Sequence, residues 1–378
     1  MGPRTDCQNR FIRILEVAPF VAPIDDREAQ IGGAQVLLAD LASGLAVRGH
    51  RVTLAAARGS AVRGVTIVDL GIDADGLRPA GLGGQGGPRP DDAGQRRAFA
   101  AVRAWLDQHA GEIDVVHAHA YDAPAFDLLG GGRWPIVHTL HLPPLDPEVV
   151  AAARRARGAG FVTVSRANAA SWEAAGVRVR GVILNGVDLS TIPFTREGGR
   201  YLLHAGRISP EKGVDTALTI AARLGRELLL VGGVYDQRYH AEAVRPRVRE
   251  ARAWQLGEPA VSTFGGATYI GPRTRSEVHR LMGGAAAVLM PVRWDEPFGL
   301  VALEALATGT PVVAYRRGGL AEIIDPSCGA LVEPGDETAF LREVDRAVTL
   351  DRAACRRRAE RFPLEAMVTA YELELARA

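Results

Sequence analysis

Short runs of apolar residues alternate with amphipathic stretches along most of the chain. Residues 11–18 alternate between apolar and polar side chains, which predicts a β-strand. A glycine pair at 32–33 precedes an amphipathic helix that continues to Arg48, and residues 51–56 form the next predicted strand. A strand, a helix and a second strand in this order predict a parallel β-α-β unit. Similar apolar runs predict further strands at 65–70, 113–118, 134–140 and 161–165.

The pattern stops at a linker and then begins again. Residues 189–199 contain Pro193 and the pair Gly198-Gly199, which favour an irregular connection. New apolar runs predict strands at 201–205, 228–232, 268–272, 286–290 and 312–315, with a last strand that ends at 332–336. We therefore predict two α/β domains, at residues 1–190 and 197–362, followed by a final helix at 364–378.

Three further stretches have less regular patterns. Residues 79–97 are rich in Gly, Pro, Asp and Arg, which predicts a mobile surface loop. Residues 234–257 are predicted to be mainly helical, and the arginines at 238–252 are interpreted as a solvated face. After the last strand we predict one Arg-rich helix that extends to about Arg361.

Residues 291–319 connect a buried strand to a helix and carry two carboxylates. Glu296 lies in the polar turn before the helix, which starts near Phe298 and Gly299, and Glu304 lies inside it. The first amides of a helix have no intrahelical acceptors, so this helix start attracts an anion. A nucleotide sugar has a diphosphate between two hydroxyl-bearing rings. The helix amides suit the diphosphate, and one carboxylate on each side suits the hydroxyls of each ring.

The second predicted domain opens with a strand followed by Gly206-Arg207 and then by Lys212-Gly213. Lys212 is the only lysine among the 45 basic residues of the chain. A site that needs a compact ammonium on a flexible stem explains why lysine is used at this position. Arg207 can bind phosphate oxygens in bidentate fashion, and Lys212 adds a mobile charge. We therefore predict a diphosphate site at this turn.

Two strands of the first domain end in histidine pairs. His117 and His119 share one face of their strand, and His138 and His141 end the next one. Both strands are predicted to finish at the carboxyl edge of a parallel sheet, where α/β proteins bind ligands. Because no cysteine lies nearby in the sequence to complete a zinc site, we predict no metal here. His138 is predicted to be a buried strand residue.

Composition narrows the class of protein. The chain has 378 residues, 47% hydrophobic and 24% charged, with a net charge of +1, which is typical of soluble globular domains and offers no bulk attraction for nucleic acid. It has no predicted transmembrane segment or signal peptide. Cys7, Cys328 and Cys355 are scattered, as expected for thiols in the cytoplasm. Asp73 and Asp75 have the spacing of a metal-binding pair, but no supporting carboxylate lies in their loop, so we attribute the spacing to chance.

Three motifs resemble those of the retaining, metal-independent glycosyltransferases of family 4, and the resemblance covers nearly the whole chain. It implies the GT-B fold, in which two Rossmann-like domains with parallel sheets face each other across a cleft. It also implies that the final helix returns to the first domain. The motifs are Glu296-Pro297-Phe298-Gly299-Leu300 with Glu304, Gly206-Arg207 with Lys212-Gly213, and His138-Thr139-Leu140-His141.

The resemblance also implies a role for each site residue. Arg207 and Lys212 would neutralise the leaving diphosphate. Glu304 would bind the ribose hydroxyls and Glu296 those of the donor sugar, while His141 would position the sugar or the acceptor. The other implied substrate-binding positions are Gly32, Gly33, Gly206, Gly271, Pro272, Arg273, Pro297, Phe298, Gly299 and Leu300.

The implied reaction is the transfer of a sugar, with retention, from a nucleotide-diphosphate sugar to a hydroxyl of an acceptor bound by the first domain. The donor is a co-substrate, and no cofactor or metal is expected. Two alternatives stay open: an epimerase or phosphorylase acting on nucleotide sugars with the same fold, and a non-catalytic module that binds them. An epimerase would convert the donor alone, whereas a degenerate binding module would have lost part of the charged set.

Overall fold

The computed structural model describes residues 11–25, 33–74, 92–130, 134–251 and 266–378. Within these residues the chain forms two seven-stranded sheets, and the strand pairs of both sheets are parallel. This architecture confirms the predicted α/β fold with two Rossmann-like units.

The first sheet contains the strands that carry the paired histidines. Its order is β3-β2-β1-β4-β5-β6-β7, so the direction of winding reverses between β1 and β4. Glu16 of β1 lies directly opposite His117 of β4. The carboxyl ends of strands at such a reversal are where α/β sheets bind ligands. The strands are β1 Arg13–Val17, β2 Arg51–Ala55, β3 Thr66–Val68, β4 Val115–Ala118, β5 Ile136–Leu140, β6 Gly160–Thr163 and β7 Gly181–Val182.

The second sheet repeats this arrangement. Its order is β10-β11-β9-β8-β12-β13-β14, with the reversal between β8 and β12. The motifs of Arg207 and Glu296 follow those two strands, so the fold brings them to one edge of the sheet. The strands are β8 Leu202–Ala205, β9 Leu228–Val231, β10 Arg249–Glu250, β11 Ala267–Tyr269, β12 Ala287–Met290, β13 Val312–Tyr315 and β14 Gly329–Val332.

Helices cover both faces of each sheet, and the central strands are buried on both faces, as is usual for parallel sheets. Among the described residues, no helix is long and apolar enough to cross a membrane. The helices are α1 Gly33–Val47, α2 Asp92–Gln108, α3 Ala123–Leu129, α4 Pro147–Arg155, α5 Arg166–Ala174, α6 Val214–Leu224, α7 Gln237–Tyr239, α8 Arg275–Gly284, α9 Leu300–Ala307, α10 Leu320–Ile323, α11 Glu337–Ala347, α12 Arg352–Ala359 and α13 Leu364–Leu375.

Two predicted elements differ from the structure, and a third is largely confirmed. The predicted loop at 79–97 is wrong from residue 92 onward, because α2 begins at Asp92; the rest of it lies outside the described residues. Most of the described part of 234–257 is helical, as predicted. The helix α7 continues into a π-helical turn at His240–Val244 and a 3₁₀ turn at Arg245–Arg247, and the two-residue strand β10 follows. The single Arg-rich helix is two helices, α11 and α12, because Asp351 caps the second one separately.

The last helix, α13, packs on the first domain. Met367, Val368, Tyr371 and Leu375 belong to the same buried cluster as residues of α1 and β2. The guanidinium of Arg48, at the end of α1, lies 2.6 Å from carboxylate oxygens of α13. The chain thus crosses back from the second domain and completes the core of the first.

Candidate active site

The turn that carries Glu296 is paired with the only lysine of the sequence. The Nζ of Lys212 lies 2.7 Å from Oε2 of Glu296, and the indole N–H of Trp294 donates to the same oxygen at 2.8 Å. The ammonium also lies 4.6 Å from the centroid of the Trp294 ring. Only 16% of the lysine side chain and 13% of the glutamate side chain are exposed. Two predicted catalytic residues from separate motifs are therefore in direct contact.

Backbone contacts hold this lysine against the turn. The 3₁₀ turn Pro210–Lys212 ends at Gly213, whose φ of +68° lies in the left-handed region. A β-carbon on Gly213 would collide with the carbonyl oxygen of Pro291, so the close approach of the two segments requires glycine. The amide of Arg293 also donates to the carbonyl of Glu211 at 2.8 Å. The two motifs are thus one packed unit.

A second glycine turn supports Glu296 from the other side. Gly318 has a φ of +55°, and a β-carbon there would collide with the backbone of Glu296. The amide of Gly319 donates to the carbonyl of Glu296 at 2.7 Å. The glycine pair at 318–319 therefore helps to fix the position of the carboxylate.

Arg207 follows β8 and faces the first domain. Its guanidinium lies 4.8 Å from the centroid of the Tyr235 ring and 3.4 Å from the carboxylate of Glu211. It is also close to Tyr121 of the first domain. Burial raises the pKa of Tyr121 well above its usual value, Asp122 and Tyr235 add to the rise, and the charge of Arg207 opposes it. Arg207 therefore lies at the boundary between the domains.

Glu304 of α9 is held by two residues of α8. Its Oε1 lies 3.1 Å from Nε of Arg275 and 3.3 Å from Nε2 of His279. Burial raises the pKa of Glu304, but its contacts with His279 and Arg275 outweigh burial, and the pKa lies below its usual range. Among the described residues, no hydrogen-bond partner is seen for its Oε2. That oxygen is available to accept hydrogen bonds from ligand hydroxyls.

Arg275 also joins the two domains. Its Nη1 lies 3.0 Å from Oδ2 of Asp40 on α1. Burial raises the pKa of Asp40, although the charge of Arg275 acts in the opposite direction. The guanidinium therefore bridges Asp40 of the first domain and Glu304 of the second.

The start of α9 has the form predicted for an anion site. Gly299 caps the helix, and its carbonyl accepts the first intrahelical bond, from Leu303, at 3.1 Å. The amides of residues 300–302 therefore precede the hydrogen-bonded part of the helix. The side chain of Phe298 is buried in the core of the second domain, so only its backbone can contact a ligand.

Gly33 of the first domain approaches this helix start. A β-carbon added to Gly33 would lie 3.1 Å from a methyl group of Leu300, so the start of α1 faces the start of α9. Gly32 lies outside the described residues.

Three of the implied substrate-binding positions, Gly271, Pro272 and Arg273, lie at the same sheet edge, after β11. The carbonyl of Gly271 accepts from Gly232 at 3.0 Å, and the guanidinium of Arg273 donates to the carbonyl of Pro272 at 2.9 Å. Gly206 follows the neighbouring strand β8, and its amide donates to Val231 at 2.9 Å.

His141 lies just after β5 and lines a small cavity with Tyr121 and Leu142. Two residues of α5 fix the backbone on either side of it. Nδ2 of Asn168 donates to the carbonyl of Leu140, and Nε1 of Trp172 donates to that of Leu142, both at 2.8 Å. Helix α5 thus sets where the histidine side chain leaves the backbone.

Behind His141 lies a buried cluster that was not predicted as a unit. Nε2 of His119 lies 2.8 Å from Oε2 of Glu16, and Nδ1 of the same ring lies 2.9 Å from Nε2 of His141. Burial raises the pKa of Glu16, but His117 and His119 outweigh burial and lower it to about 2. Three possible metal-ligand atoms, from Glu16, His117 and His119, lie within 4.8 Å of one another. His138 is buried as predicted, between Phe126 and Phe161.

A cavity of about 310 Å³ lies between the domains beside Glu296. Its volume is within the range of small-molecule sites. The lining includes Ala167, Asn168 and Ser171 of α5 and Glu296, Pro297 and Arg316 of the second domain.

Of the remaining sequence features, the structure describes Asp73, Cys328 and Cys355. Asp73 forms an exposed ion pair with Arg58 at 3.3 Å, whereas Asp75 and Cys7 lie outside the described residues. Cys328 and Cys355 are buried free thiols, and burial raises their pKa values to about 11 and about 12.

Sequence reasoning missed the partners of the predicted residues: Glu16, Asp40, Arg275, His279 and Trp294. Arg275 and His279 are four residues apart on a predicted helix, so a shared face could have been inferred. The sequence carried no signal that this face would meet Glu304. Glu16 was visible as a charge inside an apolar strand, which is costly unless it is paired.

Two Rossmann-like sheets with charged motifs at the facing edges define a GT-B fold. Sucrose-phosphate synthase from Thermosynechococcus elongatus has a similar structure, with a TM-score of 0.74 and 19% identity over 97% of this chain and 100% of that chain. Residues 31–191 match Glycosyltransferase Family 4, and residues 190–362 match Glycosyl transferases group 1. The chain therefore belongs to the group 1 glycosyltransferases, which confirms the resemblance inferred from its motifs.

Two curated relatives differ in how much of their length is matched. D-inositol 3-phosphate glycosyltransferase of Nocardioides sp. is 27% identical over 90% of this chain and 82% of its own length. Glycogen synthase of Mycobacterium tuberculosis is 36% identical over 47% of this chain. The matched region spans only 42% of that synthase, so its similarity concerns part of each protein.

Proposed function

We propose that the protein transfers a sugar from a nucleotide-diphosphate sugar to an acceptor hydroxyl, with retention and without a metal ion. The observation that carries this proposal is the convergence of Arg207, Lys212, Glu296 and the start of α9 at one edge of the cleft. Two cations and a set of helix amides suit a diphosphate. Carboxylates before and inside the helix suit the two polyol parts of the donor.

The nucleoside end of the donor is assigned to Glu304. Its free Oε2 supports a hydrogen bond from the ribose, while Arg275 and His279 hold the other oxygen in place. The backbone at 271–273, at the same sheet edge, is assigned to the base.

The leaving group is assigned to Arg207 and Lys212. Lys212 and Glu296 neutralise each other in this structure. A bound diphosphate would compete for the ammonium, which leaves Glu296 available to accept hydrogen bonds from the sugar hydroxyls. The two cations would then stabilise the charge that develops as the sugar–phosphate bond breaks.

Retention follows in this proposal from attack on the same face as the departing diphosphate. The acceptor oxygen forms the new bond to the anomeric carbon, and its proton passes to the leaving phosphate oxygen. Retaining glycosidases instead use a carboxylate nucleophile about 5 Å from a second carboxyl group. Here Glu296 is held by Lys212 and Trp294, which supports a binding role for it.

The acceptor is assigned to the first domain. The cavity between α5 and the Glu296 turn has polar groups from both sides, and His141 lies at the neighbouring wall. The Nocardioides relative is named for an inositol phosphate substrate, so phosphorylated polyols belong among the acceptors to be tested.

The first test is a thermal-shift screen of the full-length chain against nucleotide-diphosphate sugars, because a ligand that binds the folded state raises its stability. The donor that stabilises the protein is then incubated with candidate acceptors, and the anomeric configuration of the product is read by NMR. A product of inverted configuration would contradict retention. Conversion of the donor without any acceptor would favour an epimerase.

Metal independence is tested in the same assay. We expect full turnover in excess chelator, because two side-chain cations take the place of a metal at the diphosphate. A strict requirement for manganese or magnesium, restored by titration, would contradict this part of the proposal.

A further inference from the structure

A buried chain of polar side chains runs from the cleft to α13 behind the candidate active site. Apart from its first member, it has no part in the reaction proposed above. All of its members are buried, and only His141, 7% exposed, reaches the cavity wall. In order, the chain consists of His141, His119, Glu16, His117, Thr139 and Tyr371.

On the arm between Glu16 and the cleft, the positions of the ring protons follow from the negative charge of the Glu16 carboxylate. An ionised Glu16 can only accept hydrogen bonds. Its Oε2 lies 2.8 Å from Nε2 of His119, so this nitrogen carries the proton. In a neutral imidazole the other nitrogen is then an acceptor, and Nδ1 of His119 lies 2.9 Å from Nε2 of His141. Nε2 of His141 must therefore be the N–H, which leaves Nδ1 of His141 with a lone pair.

The other arm is satisfied by the same rule. Nδ1 of His117 lies 3.0 Å from Oε2 of Glu16 and donates to it. Nε2 of His117 lies 2.8 Å from the hydroxyl of Thr139, whose oxygen is 3.2 Å from that of Tyr371. The carboxylate and the three imidazole rings thus satisfy each other's hydrogen bonds: His117 and His119 donate to Glu16, and His141 donates to His119.

We propose that Glu16, acting through His119, fixes the tautomer of His141 so that Nδ1 accepts a hydrogen bond from a substrate hydroxyl in the cleft. This proposal rests on the proposed function for the identity of that hydroxyl, which belongs to the donor sugar or the acceptor. Glu16 and His119 are positioning residues because they act through His141. Nδ1 has no hydrogen-bond partner among the described residues, so it is free to take this role.

Burial keeps His119 and His141 neutral. It lowers the pKa of His119 to about 4, with a contribution from His117 and with Glu16 acting in the opposite direction. It also lowers the pKa of His141 well below the usual value, and His119 and His117 add to that shift. The neutral rings required by the proton assignment are therefore the expected forms at neutral pH.

A metal ion held by Glu16, His117 and His119 would have the opposite effect. Bonding of Nε2 of His119 to a cation leaves the proton on its Nδ1, which would then donate to His141. His141 would present an N–H to the cleft instead of a lone pair. The tautomer of His141 therefore distinguishes the two arrangements.

The test is ¹⁵N NMR of the full-length protein labelled in its nine histidines, with His141 assigned by the signals lost in His141→Asn. We expect an unprotonated Nδ1 and a protonated Nε2 on His141 at pH 7. A protonated Nδ1 in the wild type would overturn the proposal. One equivalent of tightly bound metal in the purified protein would overturn it as well.

Two substitutions at Glu16 distinguish the effect of its acceptor oxygen from the effect of its size. Glu16→Met removes the acceptor, and Nε2 of His119 then has only the N–H of His117, at 3.2 Å, as a partner. His119 would accept from it and donate through Nδ1, so the tautomer of His141 reverses. Glu16→Gln keeps an oxygen that can accept both N–H groups, and we expect the wild-type tautomer. An unreversed tautomer in a folded Glu16→Met protein contradicts the proposal.

Activity gives an independent readout. We expect kcat/KM of Glu16→Met to fall about tenfold or more, the effect of one mismatched buried hydrogen bond, with substantial rescue in Glu16→Gln. Tyr371→Phe, at the far end of the other arm, is the matched control and should retain both the tautomer and the activity. Equal losses in Glu16→Met and Tyr371→Phe would indicate a general packing defect and overturn the proposal. The tautomer is measured without turnover. If His141 has the expected tautomer but the protein transfers no sugar, the proposed function is contradicted and the proposal about Glu16 is not.

Discussion

Lys212 illustrates how one side chain links two motifs. In a chain that otherwise uses arginine, its ammonium contacts Glu296 and lies over the ring of Trp294. A guanidinium is planar and larger, so it would not occupy this small space in the same way. Geometry as well as charge therefore explains why lysine occupies this position.

The first prediction concerns this lysine. Lys212→Ala should lower kcat about 100-fold or more at saturating donor, by analogy with the loss of one preorganised charge-stabilising donor. Lys212→Arg should restore only part of the activity. Steady-state kinetics provide the measurement, and Arg223→Ala, which breaks an exposed pair with Glu337, is the control. Wild-type turnover in Lys212→Ala would show that it does not act on the leaving group.

The second prediction is that replacing Glu304 and replacing Glu296 impair different steps, ligand binding in the first case and turnover in the second. Glu304→Gln should weaken binding of the free nucleoside diphosphate, because ribose is part of that ligand. Glu296→Gln should spare this binding and mainly lower turnover, because the sugar changes shape and charge in the transition state. Calorimetry on both variants gives the affinities. Equal losses, or a loss only in Glu296→Gln, would mean that the assigned roles are wrong.

At the scale of elements, strand β5 carries a histidine whose burial makes the folded state less stable in acid. His138 packs between Phe126 and Phe161, and neither ring nitrogen has a hydrogen-bond partner among the described residues. Burial lowers its pKa to about 3, and its proximity to His117 and His119 adds to the shift. The strand therefore tolerates this residue only as a neutral ring.

The third prediction follows from that shift. In the unfolded chain His138 has a pKa near its usual value of about 6.5, so between there and about pH 3 the unfolded state binds one more proton. This group should then lower the free energy of unfolding by up to about 1.4 kcal/mol for each pH unit of acidification. In His138→Leu, urea unfolding between pH 6 and pH 4 should show a correspondingly flatter pH dependence. Identical slopes in the two proteins would contradict the assignment.

Helix α12 shows that an Arg-rich element need not be a solvated one. The guanidinium of Arg352 donates to the carbonyls of Gly283 and Ala285, and that of Arg356 donates to Ile192 and Ala307. Five donors on one group allow each arginine to bind several carbonyls at once. The helix thereby fastens the interdomain linker to the second domain.

At the scale of the whole molecule, a bridging arginine and the last helix both connect the two domains. Arg275 bridges Asp40 and Glu304 across the cleft, and α13 lies in the core of the first domain although it follows the second. The donor site and the domain contact therefore share Glu304. Ribose binding there would act on the same carboxylate that faces Arg275.

The fourth prediction tests the contribution of α13. A chain that ends at Pro363 would expose the apolar surfaces that Met367, Val368 and Tyr371 cover, so the first domain should unfold at a lower temperature. A chain that ends at Leu375 loses only three exposed residues and serves as the control. Calorimetric melting of both proteins gives the measurement. An unchanged melting profile after removal of α13 would show that the first domain is stable without it.

The amino-acid sequence by itself determined the α/β class, the order of most strands and the positions of the donor motifs. Apolar periodicity identifies strands, and local motifs such as Gly206-Arg207 and the Glu296 turn carry their chemistry within a few residues. The error at 337–359 arose where arginines interrupted the apolar pattern. There the helix boundaries depend on caps such as Asp351 and on distant carbonyls.

Only the tertiary structure decided which side chains meet. The contact of Lys212 with Glu296 joins residues 84 positions apart, and that of Glu16 with His119 spans 103. Such pairs depend on strand order and register, which local patterns do not encode. The same is true of Arg275, whose two partners lie in different domains. Sequence spacing identified the groups that carry chemistry, whereas the packing of parallel strands determined their partners and, through them, their charges and tautomers.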